Sequence, residues 1–123
     1  MKLYNKYSAK ENAELIKKAG EKRLTLSFYK YVVIKNPKLF RDYLFLNWQS
    51  LDVFGRIYVS FEGINAQLSV PSKNLDEFKS QLNEIRFLKN IRLNIAIESD
   101  DFSFLKLKIK VRSKIVSDGL NDN

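Results

Sequence analysis

GRIYVSFEGINAQLSVP, from Gly55 to Pro71, reads as two strands joined by a tight turn. Ile57, Val59 and Phe61 alternate with Arg56, Tyr58 and Ser60. After Glu62-Gly63, the apolar Ile64, Ala66, Leu68 and Val70 alternate with Asn65, Gln67 and Ser69. A period of two sends one set of side chains into a core and the other onto an open face. Gly63 is the residue free to take positive φ at the turn. A hairpin with one buried face and one polar face needs a use for the polar one.

Working outward, the same alternation appears upstream at Leu24–Ile34, where Leu24, Leu26 and Phe28 oppose Thr25, Ser27 and Tyr29. Asn36-Pro37 then opens a helix to about Ser50, with Asn as cap and Pro in the first turn. Phe40, Tyr43, Leu44, Asn47, Trp48 and Leu51 recur on it at helical spacing, and Trp48 reads as a core anchor. Downstream, Ser72 or Asn74 starts a second helix to about Arg86; with Asn74 as cap, Glu77 completes a capping box. Ile91–Ile97 alternates as a strand, Glu98–Asp101 is a charged turn, and Phe104–Val111 is a further strand. Ser8 caps a short helix over Ala9–Ala19 that stops at Gly20, after a loosely ordered start.

Strand, helix, strand, strand, helix, strand is the ferredoxin-like order. The expected fold class is α+β: a ferredoxin-like, acylphosphatase-like antiparallel sheet with two helices on one face, plus one extra strand and an N-terminal helical arm. Either late strand can take the fourth place. The open face would hold Thr25, Ser27, Tyr29, Tyr58, Ser60, Asn65, Gln67 and Ser69. The expected boundaries are an arm over 1–23, the domain over 24–116 and the start of a linker over 117–123.

With 123 residues and 45% apolar content, the chain suits one domain with a real core. It has no cysteine and no histidine, which excludes disulfides, thiolate or imidazole catalysis and ordinary zinc sites within it. No apolar run approaches the ~20 residues that span a bilayer, and the N-terminus lacks a signal-peptide core, so no membrane partner and a cytoplasmic location are expected. The net charge of +8 is unevenly spread: residues 104–114 carry five cations and no acid. A concentrated basic segment suits a polyanion such as nucleic acid.

That segment is Phe104-Leu-Lys-Leu-Lys-Ile-Lys-Val-Arg112. On a strand, Lys106, Lys108, Lys110 and Arg112 share a face at ~6.6 Å intervals, twice the rise per residue. That is close to the phosphate spacing of a nucleic-acid strand. Leu105, Leu107, Ile109 and Val111 would plug the core. The competing explanation is an edge strand guarded by lysines against aggregation. Tyr29, Lys30 and Tyr31 add an aromatic and basic cluster. Tyr58-Val-Ser-Phe61 matches the tail of an RNA-stacking motif, but the leading basic-Gly-aromatic is not met and the strand position differs. Arg56 and Asn65 can be imagined holding phosphate in an acylphosphatase, although Tyr31–Asn36 has no glycine for the cradle.

SFYKY at Ser27–Tyr31, FGRIYVSFEGINAQLSVP at Phe54–Pro71, RLNIAI at Arg92–Ile97 and LKIKVRSKIVSDG at Leu107–Gly119 together resemble the N-terminal domain of the bacterial rhodanese-domain tRNA uridine hydroxylases. The resemblance covers about residues 24–120 and implies an accessory domain placed before a catalytic rhodanese domain. The family is expected to use molecular oxygen to make 5-hydroxyuridine at the wobble position of tRNA. A catalytic cysteine has no position in this chain, so no catalytic residue, no metal ligand and no cofactor is assigned within it. tRNA and the rhodanese domain are the implied partners. The residues expected to contact tRNA are Lys106, Lys108, Lys110, Arg112, Arg56, Tyr29 and Tyr31. Glu62, Gly63, Asn65 and Gln67 are expected to dock or shape the catalytic domain, in the alternative reading without RNA contact.

Overall fold

The structure, a computed structural model, describes residues 3–20, 22–96 and 104–115. Five strands form one sheet. They are β1 (Arg23–Tyr31), β2 (Phe54–Ser60), β3 (Gly63–Pro71), β4 (Asn94–Ile95) and β5 (Leu107–Val111). Their order is β4-β1-β3-β2-β5, so the second half of the quoted hairpin is the central strand. β3 pairs antiparallel along its whole length with β1, and from Gly63 to Ser69 with β2. The helices are α1 (Ala9–Ala19), α2 (Pro37–Gln49) and α3 (Leu75–Glu84).

One face of the sheet is apolar because the alternation is kept in register from strand to strand. Leu26 and Phe28 of β1, Ile57 and Val59 of β2, and Ile64, Ala66, Leu68 and Val70 of β3 join one buried cluster. Leu44, Phe45 and Trp48 of α2 and Phe78 and Leu82 of α3 close over it. Trp48 is fully buried; its Nε1–H donates to Gln81 Oε1 at 2.7 Å, and its ring lies 5.4 Å from that of Phe78. The indole thus carries both the largest apolar contact and the satisfied polar handle that a buried Trp requires.

Asn94–Ile95 takes the ferredoxin-like fourth place beside β1, and Leu107–Val111 is the extra strand beside β2. β5 runs parallel to β2, so the sheet is mixed rather than wholly antiparallel. β4 is only two residues long within the expected Ile91–Ile97 span, because Ile91 and Leu93 turn inward to pack on the core instead of extending the ladder. β5 is shorter than expected: Val111 is exposed, and of its alternating aliphatics only Leu107 and Ile109 are buried. The Asn74 capping box does not form. A 3-10 turn over Ser72–Asn74 precedes α3, and the Asn74 carboxamide donates to the Leu51 carbonyl at 2.9 Å. Ser60 and Ser69 are buried rather than on an open face. The charged turn at Glu98–Asp101 and the segment from Val116 lie outside the described residues.

Arg23, expected in the arm, is a buried part of β1. Its Nε–H donates to Ser69 Oγ at 2.6 Å, its Nη2 donates to the Ser69 and Asp52 carbonyls, and its guanidinium lies 4.4 Å from the Phe54 ring. The start of the chain is tied down as well. Leu3 packs on the core, the Tyr4 carbonyl accepts from Gln49, and Asn5 holds Leu107 from both sides. α1 carries the expected Ser8 cap and a full capping box with Glu11. The backbone and side-chain hydrogen bonds from Ser8 hold the Glu11 carboxyl below its usual value.

Gly63 has φ of 148°, and a Cβ there would press into the Lys30 carbonyl of the paired strand. Gly63→Ala is expected to cost about 3 kcal/mol in urea unfolding, against about 1 kcal/mol for Gly20→Ala, whose Cβ would meet open space. For Glu11 the folded carboxyl is the stronger acid, so its support of α1 is present above the unfolded glutamate value and lost as pH falls through the lowered one. Amide exchange in α1 should therefore accelerate over that acid window in the native protein and lose this dependence in Glu11→Gln.

Candidate nucleic-acid interface

The face of the sheet away from α2 and α3 is built from rows, because partners in register share a face. Asn94, Ser27, Gln67, Arg56 and Lys108 form one row that crosses all five strands. Tyr29, Asn65, Tyr58 and Lys110 form the next. The Arg112 guanidinium lies 5.5 Å from the Tyr58 ring, and Lys106 precedes β5 on the other side. Arg56, Lys106, Lys108 and Lys110 form no ion pair among the described residues. The structure thus brings Arg56 together with the basic strand.

The edge of β5 is not left to the lysines. Asn5 donates to the Leu107 carbonyl at 3.0 Å and accepts from the Leu107 N–H at 2.9 Å. Asn12 donates to the Leu105 carbonyl at 2.7 Å, and Arg41 Nε donates to the Ile109 carbonyl at 2.9 Å. These groups cover the outward backbone that an edge guard exists to protect. The cations stand on the face instead, where nothing about edge protection calls for them.

Tyr29 and Tyr31 sit apart from these cations, on β1. Their rings meet edge to face at 6.2 Å, and both are exposed, as are Val33 and the turn residue Phe61. Lys30 points the other way, its Nζ donating to the Phe87 carbonyl at 2.6 Å.

Glu62, Gly63 and Asn65 have a shared local task. Glu62 Oε1 accepts from the Ile115 N–H at 3.0 Å, and Asn65 Nδ2 donates to the Ile115 carbonyl at 2.9 Å. Both backbone groups of one residue are held by two side chains of the hairpin, and the Ile115 side chain is buried beside Gly63. This clamp fixes how the chain leaves the sheet. Nothing in the sequence pattern pointed to it, since a side chain gripping backbone fifty residues away leaves no periodic trace. Gln67 is not part of it and belongs to the cationic row. One donor of the Asn65 carboxamide is taken by the Ile115 carbonyl, and Asn65 and Arg56 stand in neighbouring rows of the sheet.

Among the described residues no three His, Cys, Asp or Glu side chains group as a metal site, and no helix is long and apolar enough to cross a membrane. Residues 23–115 match the family model described as the UPF0176 acylphosphatase-like domain. The chain belongs to that family. Relatives named tRNA uridine(34) hydroxylase are similar to this UPF0176 domain over most or nearly all of its length. The one from Leptospira interrogans is 46% identical over 98% of this chain and 33% of its own length. That from Pectobacterium atrosepticum is 48% identical over 98% and 34%, and that from Escherichia coli 51% over 84% and 30%. The UPF0176 domain therefore spans about a third of the length of these relatives.

Removing one side of the clamp leaves the fold but loosens Ile115. Glu62→Ala, which removes the acceptor of the Ile115 N–H, should speed hydrogen exchange at that amide by at least tenfold, the scale of a lost charged hydrogen bond, and Asn65→Ala, which removes only the donor to the Ile115 carbonyl, should speed it less. Amides along the β1–β3 ladder should keep their protection, which two-dimensional NMR would read directly.

Proposed function

We propose that this domain is the tRNA-holding N-terminal part of an oxygen-dependent tRNA uridine hydroxylase, serving wobble-uridine conversion to 5-hydroxyuridine. The chemistry belongs to a cysteine-bearing rhodanese domain in the rest of the longer protein. The observation that carries this reading is the placement of Arg56, Lys106, Lys108 and Lys110. They converge on one face, in register across adjoining strands, without carboxylate partners among the described residues, while other side chains protect the strand edge. Like charges gathered in this way repel, and a phosphate backbone relieves that repulsion by displacing its own counterions. The names of the relatives supply the polyanion, a tRNA. The domain contributes grip and orientation; lacking thiol and imidazole, it supplies no nucleophile or base of those types.

A second reading has its own support. The Ile115 clamp lies beside the exposed group of Tyr29, Tyr31, Val33 and Phe61. Docking of a catalytic domain on that apolar surface would shape its active site without RNA contact.

The two separate in a tRNA-binding titration of the wild-type chain and of Lys106→Glu/Lys108→Glu/Lys110→Glu at low and high salt. The tRNA reading expects an affinity loss above tenfold and a salt slope shallower by about three, near one unit per phosphate contact. Affinity and slope unchanged by the triple reversal would overturn it in favour of docking.

A further inference from the structure

The row Asn94–Ser27–Gln67–Arg56–Lys108 changes character half-way across the sheet. Its first three members are amides and a hydroxyl; its last two are cations. Two concavities follow the same division. One, of about 410 Å³, is lined on the polar side by Thr25, Ser27, Gln67 and Asn94, with Phe104 as a wall. The other, of about 180 Å³, is lined by Arg56, Lys106 and Lys108, again with Phe104. Phe104 is thus a wall shared by an uncharged hollow, lined also by the apolar Leu26, Ile95 and Ala96, and a cationic one. The Gln67 and Asn94 carboxamides have no hydrogen-bond partner among the described residues, and the three cations have no ion-pair partner there.

We propose that this row binds one unstacked nucleotide of an RNA. The base lies against Phe104 over Gln67, Ser27 and Asn94, and the adjoining phosphate sits among Arg56, Lys106 and Lys108. Each part of the row suits one part of a nucleotide. Carboxamides offer donor and acceptor side by side, as the Watson–Crick edge of a base requires. An aromatic ring at the wall offers the stacking that an unpaired base loses when it leaves its helix. A guanidinium with two ammonium groups suits a phosphate diester, which accepts from several charged donors at once. Gln67 and Arg56 are register partners on adjacent strands and leave the same face of the sheet, so their long side chains can reach a base and its phosphate together. Lys110 and Arg112 continue the cationic line along β5, which extends the fit from a free nucleotide to a nucleotide within a strand.

The site deepens the tRNA-holding reading and rests on it for its RNA, yet the two can fail separately. The labelled 123-residue chain is titrated, with NMR detection, against ribonucleoside 5′-monophosphates, the matching nucleosides, inorganic phosphate and a single-stranded hexaribonucleotide. The expected result is that a monophosphate shifts the amides of Ser27, Gln67, Arg56 and Lys108 together. It should bind about tenfold more tightly than inorganic phosphate, and the hexanucleotide more tightly again. Gln67→Ala, at an exposed position that the fold does not need, should bring the monophosphate down to the affinity of phosphate. Phe104→Leu should do the same while keeping apolar bulk. Arg56→Gln should weaken phosphate and monophosphate alike. Equal binding of monophosphate and inorganic phosphate by the wild-type protein overturns the site, as does a monophosphate advantage that survives Gln67→Ala. tRNA bound equally by wild type and Gln67→Ala leaves the holding role intact and removes this nucleotide site. Monophosphate binding that depends on Gln67, in a chain that does not bind tRNA, keeps the site and removes the holding role.

Discussion

Everything on this molecule's surface follows from the register of β3. That strand is paired on both sides from Gly63 to Ser69, so its side-chain alternation dictates which way each neighbouring strand must face. Ile64, Ala66, Leu68 and Val70 commit one face to the core, and a slip of one residue would bury Asn65 and Gln67 instead. The cost of such a slip, polar groups buried unpaired and four apolar side chains turned to water, is comparable with the whole net stability of a small domain. Register is therefore rigid, and with it the composition of the opposite face. Rows such as Asn94 to Lys108 are a consequence of core packing before they are anything functional.

The glycine at the hairpin turn is the local condition for that register. Gly63 faces Tyr31 across the ladder at the point where the Lys30 carbonyl comes closest, a place with no room for a side chain. The chain just after β1 then bonds the turn itself, through the Val32 and Ile34 amides to the Glu62 and Phe61 carbonyls. Because this end of the sheet is so well held, Glu62 and Asn65 can afford to spend their side chains on Ile115.

The hairpin, the two covering helices and the buried Trp48 were legible in the sequence because each is a periodic or local signal. Asn36-Pro37 announces α2, and the hydrogen bond from the Leu39 amide to Asn36 Oδ1 at 3.1 Å is the cap that it implies. What was not legible has in each case a long-range cause. Arg23 reads as one more surface cation until its partners, Ser69 and the Asp52 carbonyl, are brought to it by the β1–β3 pairing. The Asn74 side chain turns to Leu51, far back in the chain, in place of the amide three residues ahead. The same holds for the cationic face. The basic alternation of residues 106–112 is visible as text, but its parallel pairing with β2 is what sets Arg56 beside Lys108.

The distinction between an edge guard and a ligand site turns on direction. A lysine that protects an edge works by lying where another strand would add, along the line of the ladder hydrogen bonds. On β5 that line is largely occupied: Asn5 takes both outward groups of Leu107, and Asn12 and Arg41 take the carbonyls of Leu105 and Ile109. Lys108 and Lys110 point at right angles to it, out of the sheet plane, where they add nothing to edge protection and are repelled by one another. A protein gains no stability from that arrangement by itself. The repulsion is offset only when an anion lies across the row, so the side of the sheet that costs the free domain most is the side with most to gain from a bound anion.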